Sequence, residues 1–114
     1  MRTCVIGAGV SGLTAAKALS DWGVAYTCFE ASDDLGGNWY FRNPNGRSSA
    51  YRSLHIDTSK NAISFTDFPM DERYPDFPHH SEIHQFLREY AEPDGSVPTS
   101  FDWLIEDTFS ELVP

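Results

Sequence analysis

The sequence predicts an α/β fold: the strand–helix–strand opening of a doubly wound parallel sheet, left incomplete. Three observations carry this. A short apolar run, Thr3-Cys4-Val5-Ile6, ends on a glycine. A segment with helical spacing follows and stops at Gly23. Next comes a run of β-branched and aromatic residues, Val24 to Phe29. Consecutive strands joined by a helix imply a parallel pair with a right-handed crossover.

Residues 3–6 form the first strand. Residues 10–22 form a helix, with Leu13, Ala16, Leu19 and Trp22 spaced to face inward. Gly23 follows, where a left-handed stop costs glycine nothing. Residues 24–29 form the second strand. Residues 31–80 are dense in Gly, Pro, Asn, Asp and Ser and read as turns and irregular backbone, with a strand near Ala62–Phe65. Irregular backbone of this length is functional or disordered. Its aromatics (Trp39, Tyr40, Phe41, Tyr51, Phe65, Phe68, Tyr74, Phe77) argue for order. Residues 81–92 form a second helix, with Ser81 as N-cap and Glu82 in the first turn, where the helix dipole favours an acid. Ile83, Phe86, Leu87, Tyr90 and Ala91 make its apolar stripe, and Pro93-Asp94-Gly95 end it. Residues 96–114 carry only a weak helical pattern (Trp103, Leu104, Phe109, Leu112) and no recognisable chemistry.

Composition narrows the function. The 114 residues carry a net charge of −9, with the basic residues scattered. That argues against a nucleic-acid or anionic-membrane surface, since both need clustered Lys and Arg. No secretory leader is expected, because a strand-like segment follows Met1 at once, and no apolar run approaches the ~18–20 residues of a membrane span. The expected compartment is therefore the cytoplasm. Cys4 and Cys28 lie inside strands among apolar neighbours and read as buried thiols rather than as a disulfide.

The sharpest motif is Gly7-Ala8-Gly9-Val10-Ser11-Gly12. Alone, G-x-G-x-x-G is a weak signal. Here it sits after a strand and opens a helix, and an acid, Glu30, stands eighteen residues beyond Gly12 at the end of the next strand. Gly7 permits the tight turn, Gly9 lets a pyrophosphate approach bare backbone, and Gly12 lets the helix pack close to the strand. The free amides at the helix start face the phosphates. Glu30 accepts from the adenosine ribose hydroxyls and repels a 2′-phosphate, which disfavours NADP at this site. The start is thus Rossmann-like, and FAD and NAD both remain open. A second glycine pair follows in Asp33-Asp34-Leu35-Gly36-Gly37-Asn38-Trp39. It brings bare backbone near the same ligand, and Trp39 offers a flat ring to cover another.

From Cys4 to Glu30 and through Gly36-Gly37-Asn38-Trp39, the chain resembles the FAD-binding start of the flavin-containing monooxygenases and their relatives, the Baeyer–Villiger monooxygenases. The likeness continues through Tyr51-Arg52-Ser53-Leu54-His55, Thr58-Ser59-Lys60, Phe65-Thr66-Asp67-Phe68-Pro69-Met70 and Tyr74-Pro75-Asp76-Phe77-Pro78-His79-His80, into the helix ending near Ala91. The resemblance implies that NADPH reduces FAD and that the reduced flavin takes up O2 as a C4a-(hydro)peroxyflavin. One oxygen atom then passes to a small molecule: onto nitrogen or sulfur, or beside a ketone. By resemblance, Gly7 to Ser11 hold the pyrophosphate, Glu30 the ribose, and Asn38 and Trp39 lie along the flavin. Asp57 and Thr58 match an Asn-Ser or Asn-Thr pair beside the flavin and nicotinamide. Asp57 is a departure from that pattern. A carboxylate only accepts hydrogen bonds, whereas an amide also donates, and negative charge beside a reduced, anionic flavin is unfavourable. The expectation is that Asp57 shortens the life of the oxygenated flavin or shifts substrate preference.

The resemblance also implies a second glycine-rich fingerprint for NADPH and a Phe-Gly…His signature in a much longer chain. Neither occurs in these residues. Residues 1–92 are therefore expected to be the FAD-binding region, and 93–114 a tail without the resemblance. The expected cause is a truncated or frame-shifted reading with no turnover of its own. A non-catalytic FAD- or ADP-binding module and a fragment of an NAD-linked oxidoreductase are the alternatives. Two strands and two helices cannot cover both faces of a parallel sheet, so poor stability or a covering partner is expected. No metal site is expected: His80 and His84 stand four apart, but no third ligand accompanies them. His55 lies in the flavin-proximal stretch and reads as a packed, neutral ring.

Overall fold

A computed structural model of the protein describes residues 2–92. The weak helical pattern over 96–114 and the Pro93-Asp94-Gly95 stop lie outside the described residues. Strand β1 (Thr3–Ile6), helix α1 (Val10–Asp21) and strand β2 (Tyr26–Phe29) open the chain. The strands pair in parallel, in the register Thr3–Tyr26, Cys4–Thr27, Val5–Cys28 and Ile6–Phe29. The expected strand–helix–strand unit is therefore present. Beyond it come a 3-10 turn (Gly37–Trp39), a single helical turn α2 (Lys60–Ile63) and helix α3 (His80–Ala91).

Strand alternation decides what is covered. Val5, Tyr26 and Cys28 point into the core with Leu13 and Ala16 of α1. The opposite face of β1 stays bare: Ile6 is 61% exposed and Cys4 is exposed as well. The expectation that both cysteines are buried thus fails for Cys4. Its side chain alternates away from α1, onto the face where Arg2 donates to Thr27, the partner of Cys4 in β2. Both thiols are free.

Helix α1 ends one residue earlier than expected, and Trp22 at its C-cap is 85% exposed rather than inward-facing. The reason is geometric: by Trp22 the chain is already turning toward Gly23, whose φ of +67° only glycine adopts easily. The second strand begins at Tyr26, not Val24. No strand forms at Ala62–Phe65. Lys60–Ile63 is helical, and Phe65 only bridges back to Phe68 in a tight turn.

Helix α3 supplies the second half of the core. Ile83, Phe86, Leu87 and Tyr90 are buried, as the stripe predicts. Ala91 is only partly covered. Phe86 and Tyr90 stack with Phe65 and Phe68 at ring separations of 4.4–5.5 Å, and Tyr74 meets Phe86 edge-on at 6.1 Å. Phe65, Phe68 and Tyr74 therefore tie the later part of the irregular stretch to α3, whereas Tyr51 and Phe77 are exposed. Polar ties help: Lys60 Nζ donates to the Tyr74 carbonyl at 2.8 Å, and Tyr74 Oη donates to Glu89 at 2.9 Å.

The N-cap of α3 is His79, not Ser81, and the helix begins at His80. The Ser81 amide donates to His79 Nδ1 at 3.3 Å, and the His79 amide donates to Glu82 Oε1 at 3.0 Å. This reciprocal capping is held by tertiary structure, because His79 Nε2 donates to the Arg52 carbonyl at 2.7 Å. With Nε2 carrying the proton, Nδ1 is free to accept.

Candidate functional site

The first glycine loop forms where β1 meets α1. Gly7 takes φ +94° and donates its amide to the Phe29 carbonyl at 2.7 Å. Gly12 is required by space: a Cβ there would lie 1.7 Å from the Gly7 carbonyl oxygen. Gly9 is the N-cap of α1 and offers no side chain to the helix start, and the first turn carries no acid. The opening amides of a helix have no preceding carbonyl to bind, so those of Val10 and Ser11 are available to an anion.

Glu30 closes the loop from below. It is buried, 7% exposed, and its Oε1 accepts from the Ala8 amide at 3.2 Å. No other hydrogen bond reaches this carboxylate among the described residues. A buried carboxylate needs further donors, and ribose hydroxyls are suitable ones.

The second glycine pair docks directly on the first. The Gly36 amide donates to the Ala8 carbonyl at 2.9 Å. Gly36 and Gly37 take φ of +117° and +54°. A Cβ on Gly37 would stand 3.1 Å from the Gly9 Cα, and one on Gly9 would stand 3.8 Å from the Gly37 Cα. Two bare backbones thus pack against each other, and a side chain on Gly37 would press into Gly9. Bare backbone on both sides leaves the unpartnered amides at the start of α1 open to a tetrahedral phosphate group, so the residues present fit a dinucleotide.

Asn38 and Trp39 follow on the 3-10 turn. Asn38 Oδ1 accepts from the Ser49 amide at 2.6 Å and its carbonyl accepts from Ser48 Oγ at 2.7 Å. Its side-chain oxygen therefore anchors the 48–49 loop, leaving the amide N–H groups as donors. Trp39 is partly buried against the core. Asp57 and Thr58 are exposed, and no hydrogen bond ties them to the glycine loops among the described residues. Gly7 to Gly12, Glu30, Gly36 and Gly37 are brought together; Asp57 and Thr58 are not tied in.

The histidines serve the scaffold. His55 bridges to His79, His80 Nε2 donates to the Arg52 carbonyl at 3.1 Å, and His84 Nε2 donates to the Leu35 carbonyl at 2.8 Å. Among the described residues no group of three His, Cys, Asp or Glu is placed to hold a metal ion. Nor is any helix long and apolar enough to cross a membrane. Sequence reasoning missed His84 and Arg88, which reach the second glycine turn from α3. Their spacing, one helical turn apart, was the available signal.

The model of the FMO-like family, described as flavin-binding monooxygenase-like, matches residues 1–97. The chain is 46% identical over 96 residues to Flavin-containing monooxygenase 5 of Rattus norvegicus, covering 82% of this chain and 18% of that protein. It therefore spans less than a fifth of that relative's length. Among solved structures, S-allyl-L-cysteine S-oxygenase from Allium sativum matches with a TM-score of 0.76 and 26% identity, over 90% of this chain and 27% of that one. OTEMO in complex with FAD and NADP shares the fold with a TM-score of 0.71 and 24% identity, over 90% of this chain and 19% of that one.

Proposed function

Because the chain belongs to the FMO-like family of flavin-binding monooxygenases, we propose that residues 1–92 are the FAD-binding region of an NADPH-dependent monooxygenase acting on a small molecule and O2. The observation that carries this is the pair of opposed glycine turns above the buried Glu30 carboxylate. When bound, FAD supplies the redox chemistry that lets such a protein use O2 on a nitrogen, sulfur or ketone substrate.

The chain's own residues bind and orient. The amides opening α1, at Val10 and Ser11, hold the diphosphate through hydrogen bonds and the helix dipole. Gly7, Ala8, Gly9 and Gly12 shape that loop, and Gly36 and Gly37 close it from the other side. Glu30 receives the ribose hydroxyls, whose O–H groups donate to the carboxylate. Asn38 presents amide donors beside the flavin, and Trp39 shields a ring face from water. Asp57 and Thr58 take the nicotinamide side of the flavin, where the carboxylate of Asp57 accepts hydrogen bonds but offers none. The fingerprint occurs once in these 114 residues, so the region has one such dinucleotide cradle of its own. We assign it to FAD and leave NADPH to the whole enzyme.

Titration of the purified chain with FAD, followed by flavin fluorescence, tests the reading. Saturable quenching is expected. Glu30→Gln is expected to weaken binding about tenfold or more, as for loss of a hydrogen bond to a charged group. No quenching in the unaltered chain rejects the assignment. Equal affinity for FAD and for NAD would favour a general dinucleotide cradle over a flavin site.

A further inference from the structure

We propose that His84 is a positioning residue for the diphosphate cradle, setting the peptide plane that presses the second glycine turn onto the first. The proposal rests on the flavin reading above.

The peptide joining Leu35 to Gly36 is rigid and planar, so its carbonyl and amide point in opposite directions. Both ends are held. The Leu35 carbonyl accepts from His84 Nε2 at 2.8 Å, and the Gly36 amide donates to the Ala8 carbonyl at 2.9 Å. One side chain of α3 and one carbonyl of the first loop therefore grip a single plane from its two edges. A rotation of that plane would break both bonds together and carry Gly37 away from Gly9.

The rest of the site is built around this contact. The His84 ring is 17% exposed and stacks on Tyr40 at 5.1 Å. Asp34 stands 3.5 Å from the same Nε2, accepts from the Leu35 amide at 2.8 Å, and pairs with Arg88. The imidazole also presses on Gly36 itself, where a Cβ would lie 2.7 Å from His84 Cδ2. Glycine at 36 thus serves two needs: its φ of +117° and the close passage of the ring. The first loop is shaped by β1, α1 and Gly12, by the Phe29 carbonyl on the Gly7 amide and by the Glu30 carboxylate on the Ala8 amide. The second turn has no strand of its own to define it, and α3 supplies the missing constraint.

The test uses the full chain with three substitutions. His84→Leu keeps apolar bulk against Tyr40 but removes the donor. His84→Gln keeps a donor. Glu89→Gln loosens α3 at its far anchor on Arg73 and Tyr74 and leaves the glycine turns alone. His84→Leu should weaken FAD and ADP by a similar factor, about tenfold, because both carry the diphosphate. AMP affinity should change less, so the ADP-over-AMP preference falls. His84→Gln should recover most of the loss. Glu89→Gln should lower the melting temperature yet leave FAD affinity within about twofold. The proposal is overturned if His84→Leu binds FAD as the unaltered chain does, if His84→Gln gives no recovery, or if Glu89→Gln weakens binding equally. An unaltered chain that binds neither FAD nor ADP removes the flavin reading itself. Normal binding that is insensitive to His84 removes only this role.

Discussion

Gly9 and Gly37 stand back to back across the cradle: a methyl group on Gly37 would lie 3.1 Å from the Gly9 Cα, although the two residues belong to separate loops. Their opposition depends on Gly12, which lets α1 sit close against β1. Gly12→Ala would place a Cβ 1.7 Å from the Gly7 carbonyl oxygen. This variant is expected to lose cooperative unfolding by circular dichroism and to take up no FAD. Gly37→Ala should fold more weakly, by about 1–2 kcal/mol for a side chain at φ +54°, and should bind FAD at least tenfold more weakly. Normal FAD affinity in both variants would show that the cradle does not need bare backbone.

Asp57 is an exposed carboxylate that the flavin reading sets beside the reducible ring. Negative charge there disfavours the reduced, anionic form. Asp57→Asn is therefore expected to raise the two-electron midpoint potential of bound flavin by about 30 mV, equivalent to about 1.4 kcal/mol. Reductive titration against a reference dye reads this shift. An unchanged potential would place Asp57 too far from the ring to matter.

The two thiols should differ sharply in reactivity. Burial, with smaller contributions from the Glu30 and Cys4 charges, pushes the Cys28 thiol up to about 11, and its Sγ lies 3.6 Å from the Gly7 carbonyl. Cys4 is exposed. At pH 8, iodoacetamide followed by mass spectrometry should modify Cys4 and leave Cys28 about a hundredfold slower, since the thiolate is the nucleophile. In denaturant both should react. Rapid labelling of native Cys28 would contradict the packing of β2 against α1.

Stability should fall on mild acidification. Burial lowers His80 below its ordinary value of 6.5, and the neighbouring His79, His55 and His84 act in the same direction; only the Arg52 carbonyl opposes them. Among the described residues the His80 Nδ1 is buried without a partner. A depressed folded value means the unfolded chain binds the proton more readily. The contribution is therefore present above pH 6.5 and is lost as pH falls from there through the folded value. Urea midpoints at pH 7 and pH 5 should show this drop, and His80→Phe, which keeps a ring against Phe41, should flatten it. An equal slope in the variant would assign the acid sensitivity elsewhere.

The opening unit was legible in the sequence because its signals are local. The apolar run at 3–6, the β-branched and aromatic run at 24–29, the helical spacing of Leu13 and Ala16, and a glycine at each sharp bend are properties of near neighbours. The Gly7–Gly12 loop and Glu30 were legible for the same reason: a fixed spacing through one helix and one strand brings the acid back to the Ala8 amide. The apolar stripe of α3 was legible too, but not its cap. His79 caps only because the Arg52 carbonyl, far away in sequence, fixes which ring nitrogen carries the proton.

Residue type and spacing thus determined by themselves that a parallel strand pair with a bare-backbone glycine loop would form. Only the tertiary structure decided which strand face is covered, so that Cys28 is buried and Cys4 is not. It also turned the 60–63 stretch into a helical turn and set Gly36-Gly37 against Ala8-Gly9 under the hand of His84. The physical reason is range. Periodicity and steric preference act over a few residues, whereas burial, tautomer and loop docking depend on groups that meet only after the chain has folded.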